Sequence, residues 1–201
     1  METVIRKATA VDAALILEFI RALAAFERAP DAVTATEEGL LRDGFGPNPF
    51  YYCLIAEDDG RPAGFAFYFF NYSTWVGRPG IYVEDLFVLP EFRRKGIGKA
   101  LLKQVAAIAL EHGCRRLQWE VLDWNTPAID FYRAMGAEFL DEWRNVRLSG
   151  EALERLAGIP CDAPTLEGTR AGCPILSSAA ADEKVGDREP RSMNVQEEAA
   201  R

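Results

Sequence analysis

One stretch holds most of the residues whose types and spacing could do chemistry: Ile81–Leu102, IYVEDLFVLPEFRRKGIGKALL. Two adjacent acids, Glu84 and Asp85, interrupt an apolar strand, and a basic turn, Arg93-Arg94-Lys95, follows. Gly96-Ile97-Gly98 closes that turn at the head of an apolar helix that continues through Lys99. A strand feeding a helix N-terminus in this way can cradle a phosphate: the unpaired N–H groups and the positive end of the helix dipole face an anion, and glycine lets it approach. The acids are ambiguous on their own. Adjacent strand residues point to opposite faces, so one of the pair is buried or core-paired unless a bulge re-aims it.

The elements that must position this stretch follow from periodicity. Residues 3–7 form a short strand, and Thr9 to Asp12 carry a capping-box pattern opening a helix to about Phe26. A loop containing Pro30 leads to a second helix that starts at Thr34 to Glu37 and stops near Gly44. Residues 51–57 and 63–71 are strands joined by the hairpin signal Asp58-Asp59-Gly60, and the strand at 80–88 completes a meander. The helix after the basic turn ends at Gly113. Residues 115–122 alternate through Leu117, Trp119 and Val121, which predicts a strand parallel to 80–88 in a β-α-β unit. Asn125-Thr126-Pro127 caps a further helix containing Tyr132, a last strand is expected over 138–148, and a short helix follows Gly150. Domain 1–158 is thus an α/β (α+β) unit with a mixed sheet of about six strands. Beyond it, 159–201 is rich in proline, small and charged residues and reads as a disordered tail.

Composition narrows the function. The chain has 201 residues, 49% of them hydrophobic, enough for one buried core. Its net charge of -8 disfavours nucleic acid as a partner and suits cationic ones. No membrane span or secretory leader is readable, so the expected location is the cytoplasm. Cys53, Cys114, Cys161 and Cys173 show no metal-like grouping with His112, and no metal is expected.

Arg93 to Gly98 fits the R/Q-x-x-G-x-G/A pattern of the GCN5-related N-acetyltransferase (GNAT) superfamily, with Asn125 and Tyr132 one strand later as that superfamily requires. Ile5 to Thr9 with Asp12, Asp43 to Gly46, Asn48 to Tyr51, Ser73-Thr74-Trp75, Tyr82 to Asp85 and Asp123-Trp124-Asn125 further resemble its diamine (spermidine/spermine) and thialysine N-acetyltransferase branch. That resemblance implies a GNAT fold with splayed strands 4 and 5, acetyl-CoA as co-substrate, and a homodimer. It also implies acetyl transfer, by direct attack, to a primary amine of a small cationic molecule. Glu84 is implied as the base that accepts the ammonium proton, and Tyr132 as the acid that protonates the departing thiolate. Leu86, Phe87 and Val88 are implied to meet the pantetheine arm, with the Leu86 N–H able to stabilise an oxyanion. Arg93, Arg94, Lys95, Gly96, Ile97, Gly98 and Lys99 would meet the phosphates, and Asn125, Ala128 and Tyr132 complete the cofactor site.

For the acceptor, the resemblance points to Phe26, Glu27, Glu84, Asp85, Trp119, Glu120 and Glu142. Each acid equally reads as a solvated surface charge, Asn125 equally as a helix cap, and Tyr132 as part of an apolar helix face with Ile129 and Met135. Two readings stay beside the leading one: a protein lysine or N-terminal acetyltransferase, and a CoA-binding regulatory module without turnover.

Overall fold

The computed structural model describes residues 3–158; the expected tail, with Cys161 and Cys173, lies outside the described residues. The chain divides into two compact units, Met1–Val146 and Arg147–Arg201. In the second, the described residues form the helix α5 (Glu151–Ala157).

The first unit is built on five strands in spatial order β1-β2-β3-β4-β5: β1 (Thr3–Lys7), β2 (Tyr52–Asp58), β3 (Arg61–Ser73), β4 (Arg78–Val88) and β5 (Leu117–Gln118). The first four pair antiparallel, and β5 returns parallel to β4. Asp59 and Gly60 turn the β2–β3 hairpin with φ of 50° and 74°, the positive pair that a tight two-residue loop requires. Helices α1 (Ala13–Phe26) and α2 (Glu37–Gly44) cover one face of the sheet, and α3 (Ile97–Glu111) and α4 (Thr126–Ala134) the other. Each layer has its own core. Ile16, Phe19, Ile55, Phe65 and Phe87 fill the α1/α2 side, while Leu54, Ile81, Val83, Leu101 and Val105 fill the α3/α4 side.

Two expected strands differ from the structure. Only Leu117 and Gln118 of the expected 115–122 pair with β4, and 138–148 forms no strand, leaving five strands rather than six. Trp119 and Val121 nevertheless pack against the α3/α4 core. Their alternation records side-chain burial, which does not require a backbone ladder beside it. Once the chain leaves β4 after Gln118, 138–148 has no strand in register to extend.

The start of α1 is tied to the sheet by one carboxylate. Arg6 on β1 donates to both oxygens of Asp12 at 2.8 Å and to Glu57 Oε1 at 2.7 Å. Asp12 Oδ2 also accepts from the Thr9 backbone N–H at 2.7 Å and from its hydroxyl at 3.0 Å. The Arg6 hydrogen bonds hold the buried Asp12 carboxyl well below the usual carboxylate range. A depressed acid contributes stability that is present above its unfolded pKa, near 3.9, and is lost as pH falls toward the folded value. Asp12→Ala is therefore expected to lower unfolding stability by about 2 kcal/mol at pH 7. Denaturant titrations should show that deficit narrowing below about pH 4.

Candidate active site

The two acids of β4 are brought together by a register break. Pairing runs Phe67↔Asp85 and then Tyr68↔Val83, so Glu84 is the extra residue of a β-bulge. The break reverses the parity of the strand. Before it, Ile81 and Val83 face the α3/α4 core; after it, Phe87 faces the α1/α2 core and Leu86 and Val88 pack toward α3/α4. Glu84 and Asp85 consequently share the α1/α2 face, the outcome that uninterrupted alternation forbids.

Their surroundings differ. Glu84 is exposed and lines an open groove of about 590 Å³ with Phe67, Phe69, Tyr51, Asp43 and Thr36. Asp85 is held deeper, beside the field of Glu27 and against buried Cys53, and is pushed up to about 7, first by desolvation and then by the Glu84 and Glu27 charges. Glu27, which ends α1, is itself raised by desolvation.

The opposite side of β4 is open. Its ladder with β5 stops at Tyr82↔Gln118. Leu89 N–H donates to Ala63 O on the β3 side at 2.9 Å, so by strand alternation Leu86 and Val88 turn their backbone groups toward the open edge. The Phe87 side chain lies in the α1/α2 core at 4% exposure.

At the end of this edge the basic turn feeds α3. Arg94 and Gly96 take φ of 62° and 84°, and a Cβ on Gly96 would meet nothing within 4 Å. No side chain caps α3, and its first turn contains no acid. These features fit a pyrophosphate, since the free N–H groups of Ile97, Gly98 and Lys99 are left to a ligand. The basic residues are not equally free. Lys95 Nζ donates to buried Asp58 at 2.8 Å, and Arg93 Nε donates to Val88 O at 2.9 Å while its guanidinium lies 4.6 Å over Phe26 and 5.5 Å over Phe87. Arg94 and Lys99 are exposed.

Tyr132 projects from α4 into the α3/α4 side, 8% exposed, with its ring 5.1 Å from Trp119. Burial pushes its hydroxyl up to about 12. Asn125 caps α4 by accepting from Ala128 N–H at 3.4 Å, which fixes the approach of that helix to the gap. Glu120 is exposed and accepts from Tyr82 Oη at 2.8 Å and from Asn145. Glu142 lies in an exposed turn. Neither Glu120 nor Glu142 lines the groove beside Glu84. Phe26 packs in tilted contact with Phe87 and Trp124, with centroids 6.2 and 5.8 Å away. Sequence reasoning missed Trp124 and Arg28 as members of this cluster; both sit beside quoted motifs, but their mutual contact, 4.9 Å from guanidinium carbon to ring, is tertiary.

A helix start with free N–H groups, an open strand edge and a carboxylate pair thus lie along one strand and the turn that follows it, an arrangement suited to group transfer. Residues 17–137 match the family model described as Acetyltransferase (GNAT) family. The chain is 47% identical over 165 residues to a thialysine N-epsilon-acetyltransferase of Bos taurus, covering 77% of this chain and 96% of that protein. It is 34% identical over 197 residues to an L-ornithine N5-acetyltransferase of Arabidopsis thaliana, covering 76% and 86%. An integron cassette protein from V. cholerae has a similar solved structure, with a TM-score of 0.67, 28% identity and coverage of 78% and 98%. The chain belongs to the acetyltransferase (GNAT) family, and it is an N-acetyltransferase.

Asp85 carries a cost to the fold. An acid whose folded pKa lies above its unfolded value leaves stability intact below the unfolded pKa and erodes it as pH rises toward about 7. Asp85→Asn is therefore expected to raise the melting temperature at pH 8 relative to the wild type and to change it far less at pH 4. Paired thermal melts at the two pH values check this.

Proposed function

We propose that this enzyme uses acetyl-CoA to acetylate the primary amine of a small cationic acceptor, a diamine or an amino acid with a lysine-like side chain. The observation that carries the proposal is the bulge-aligned pair Glu84 and Asp85, standing on one face of a strand whose other edge is open toward Tyr132's side of the sheet. The acceptor chemistry named for the Bos taurus and Arabidopsis thaliana relatives supports it. Acetyl-CoA, when bound, supplies the acyl group as an activated thioester.

An alkylammonium, with a pKa of about 10.4, has no lone pair and must give up a proton before it can attack. Asp85, raised to about 7, is matched to accept that proton at neutral pH. Glu84, in the open groove, suits the ion-pairing of the incoming ammonium. This exchanges the emphasis expected from the resemblance, in which Glu84 was the base. With the thioester bound, Tyr132 Oη would give its proton to the departing thiolate, and the second proton that the nitrogen sheds on becoming an amide would restore the Tyr132 hydroxyl through solvent. At about 12 the Tyr132 hydroxyl keeps its proton until that moment. The backbone N–H and C=O of Leu86 and the N–H of Val88 would hold the pantetheine arm along the open edge, and the Gly96 to Lys99 turn would hold the phosphates. Arg93, fixed over Phe26, suits closing the boundary between the two sites. A homodimer, which the resemblance implies, belongs to the same proposal, as does the cytoplasmic location expected from the sequence.

Release of CoA over a panel of thialysine, ornithine, lysine, putrescine and spermidine tests the reading, and absence of turnover with every amine would refute it. Tyr132→Phe is expected to lower kcat by about 100-fold with little change in the melting temperature; an unchanged kcat would remove Tyr132 from the acid role. The kcat/KM profile should rise with pH through about 7 as Asp85 loses its proton. Asp85→Asn should abolish that limb.

A further inference from the structure

Arg28 follows Glu27 directly after α1 and holds φ at 64°, in the left-handed region that residues with side chains rarely occupy. Its guanidinium lies 4.9 Å above the Trp124 ring. Trp124 packs on Phe26 at 5.8 Å and Phe26 on Phe87 at 6.2 Å. Arg28 thus stands at the outer end of an aromatic row whose inner end, Phe87, is two residues beyond Asp85 on the same face of β4.

The neighbouring cations are committed. Arg93 is bonded to Val88 O and laid on Phe26, and Lys95 is paired with Asp58. Among the described residues, no carboxylate pairs with Arg28, although Glu27 adjoins it in sequence. Trp124 is 41% exposed, so the stack is open to solvent. A guanidinium stacked on a ring keeps its edge N–H groups available, and that planar edge matches a carboxylate bidentately.

We infer that Arg28 receives the α-carboxylate of an amino-acid acceptor, while Glu84 and Asp85 receive the side-chain ammonium. This deepens the acetyl-transfer reading and rests on it. The site then has two poles: acids at the inner end of the Phe26–Trp124 row and an unpaired cation at the outer end. A zwitterion with a lysine-like side chain satisfies both poles. A polyamine satisfies the acids and presents a second cation to Arg28, an opposed pair that costs affinity.

Thialysine and bis(2-aminoethyl) sulfide, the corresponding diamine without the carboxylate, separate these cases, with thialysine amide as a third acceptor. The wild type is expected to favour thialysine over both comparators. Arg28→Gln should reduce the thialysine-to-diamine ratio of kcat/KM about 10- to 100-fold, mainly through KM, the loss expected for a charged hydrogen-bonded partner. Arg28→Lys, which keeps the charge and loses the fork, should fall between. Thermal melts establish that both variants fold, and the wild-type comparison of acid with amide needs no variant. An unchanged ratio, an equal loss on both acceptors, a rise in KM for acetyl-CoA alone, or equal use of acid and amide by the wild type would overturn the assignment while leaving acetyl transfer intact. Absence of turnover with all three and with every other amine would instead remove the acetyl-transfer reading and this inference with it.

Discussion

A regular strand cannot place two consecutive side chains on one face, and most of the site depends on how β4 escapes that constraint. By giving Glu84 no partner between Phe67↔Asp85 and Tyr68↔Val83, the strand turns through one extra residue and reverses its parity. The same reversal directs Leu86 and Val88 to the open edge and Phe87 into the core under α1. Carboxylate orientation, backbone presentation and core packing are therefore one event. A deletion that restored regular alternation would disturb all three together.

The groups proposed as proton acceptor and proton donor lie on opposite faces of the sheet. Asp85 belongs to the α1/α2 layer and Tyr132 to the α3/α4 layer. A carboxylate with an elevated pKa and a phenol with an elevated pKa are both products of burial, but they need separate apolar environments. The sheet supplies two, and the gap beyond Tyr82↔Gln118 joins them. The basic turn divides its charges in a similar way. Lys95 is spent on Asp58 and Arg93 on the strand end and Phe26, leaving the backbone N–H groups of the α3 start, with exposed Arg94 and Lys99, for an anion.

Much of this was legible from residue types. The Asp59-Gly60 hairpin, the Thr9 to Asp12 cap and the glycine turn before α3 are local devices, encoded by a few adjacent residues, and each sits where the sequence implies. The strand at 115–122 was read from alternation, which reports burial and cannot tell a paired strand from an extended segment lying on a core; only Leu117 and Gln118 pair. The expected strand at 138–148 finds no neighbour to pair with once the chain has left β4 after Gln118. The adjacent acids show that a bulge is needed for them to share a face but not where it lies, because its position is fixed by pairing with β3, a tertiary fact. Arg28 was missed because its meaning depends on Trp124, distant in sequence, and on a positive φ that an arginine gives no cause to expect.

An unpaired strand edge is ordinarily a hazard, since its free backbone groups invite strands from other chains and lead toward aggregation. The open edge of β4 from Val83 to Val88 is guarded without being filled. The Ile81↔Leu117 ladder closes one end, Arg93 occupies the Val88 carbonyl at the other, and the bulge at Glu84 breaks the regular spacing between them. A foreign polypeptide strand finds no long flat template there, whereas a short flexible chain with amide groups could engage it. The protein can thus keep a fissure between its last two strands as permanent architecture and still discriminate against the partner that such a fissure would most readily attract.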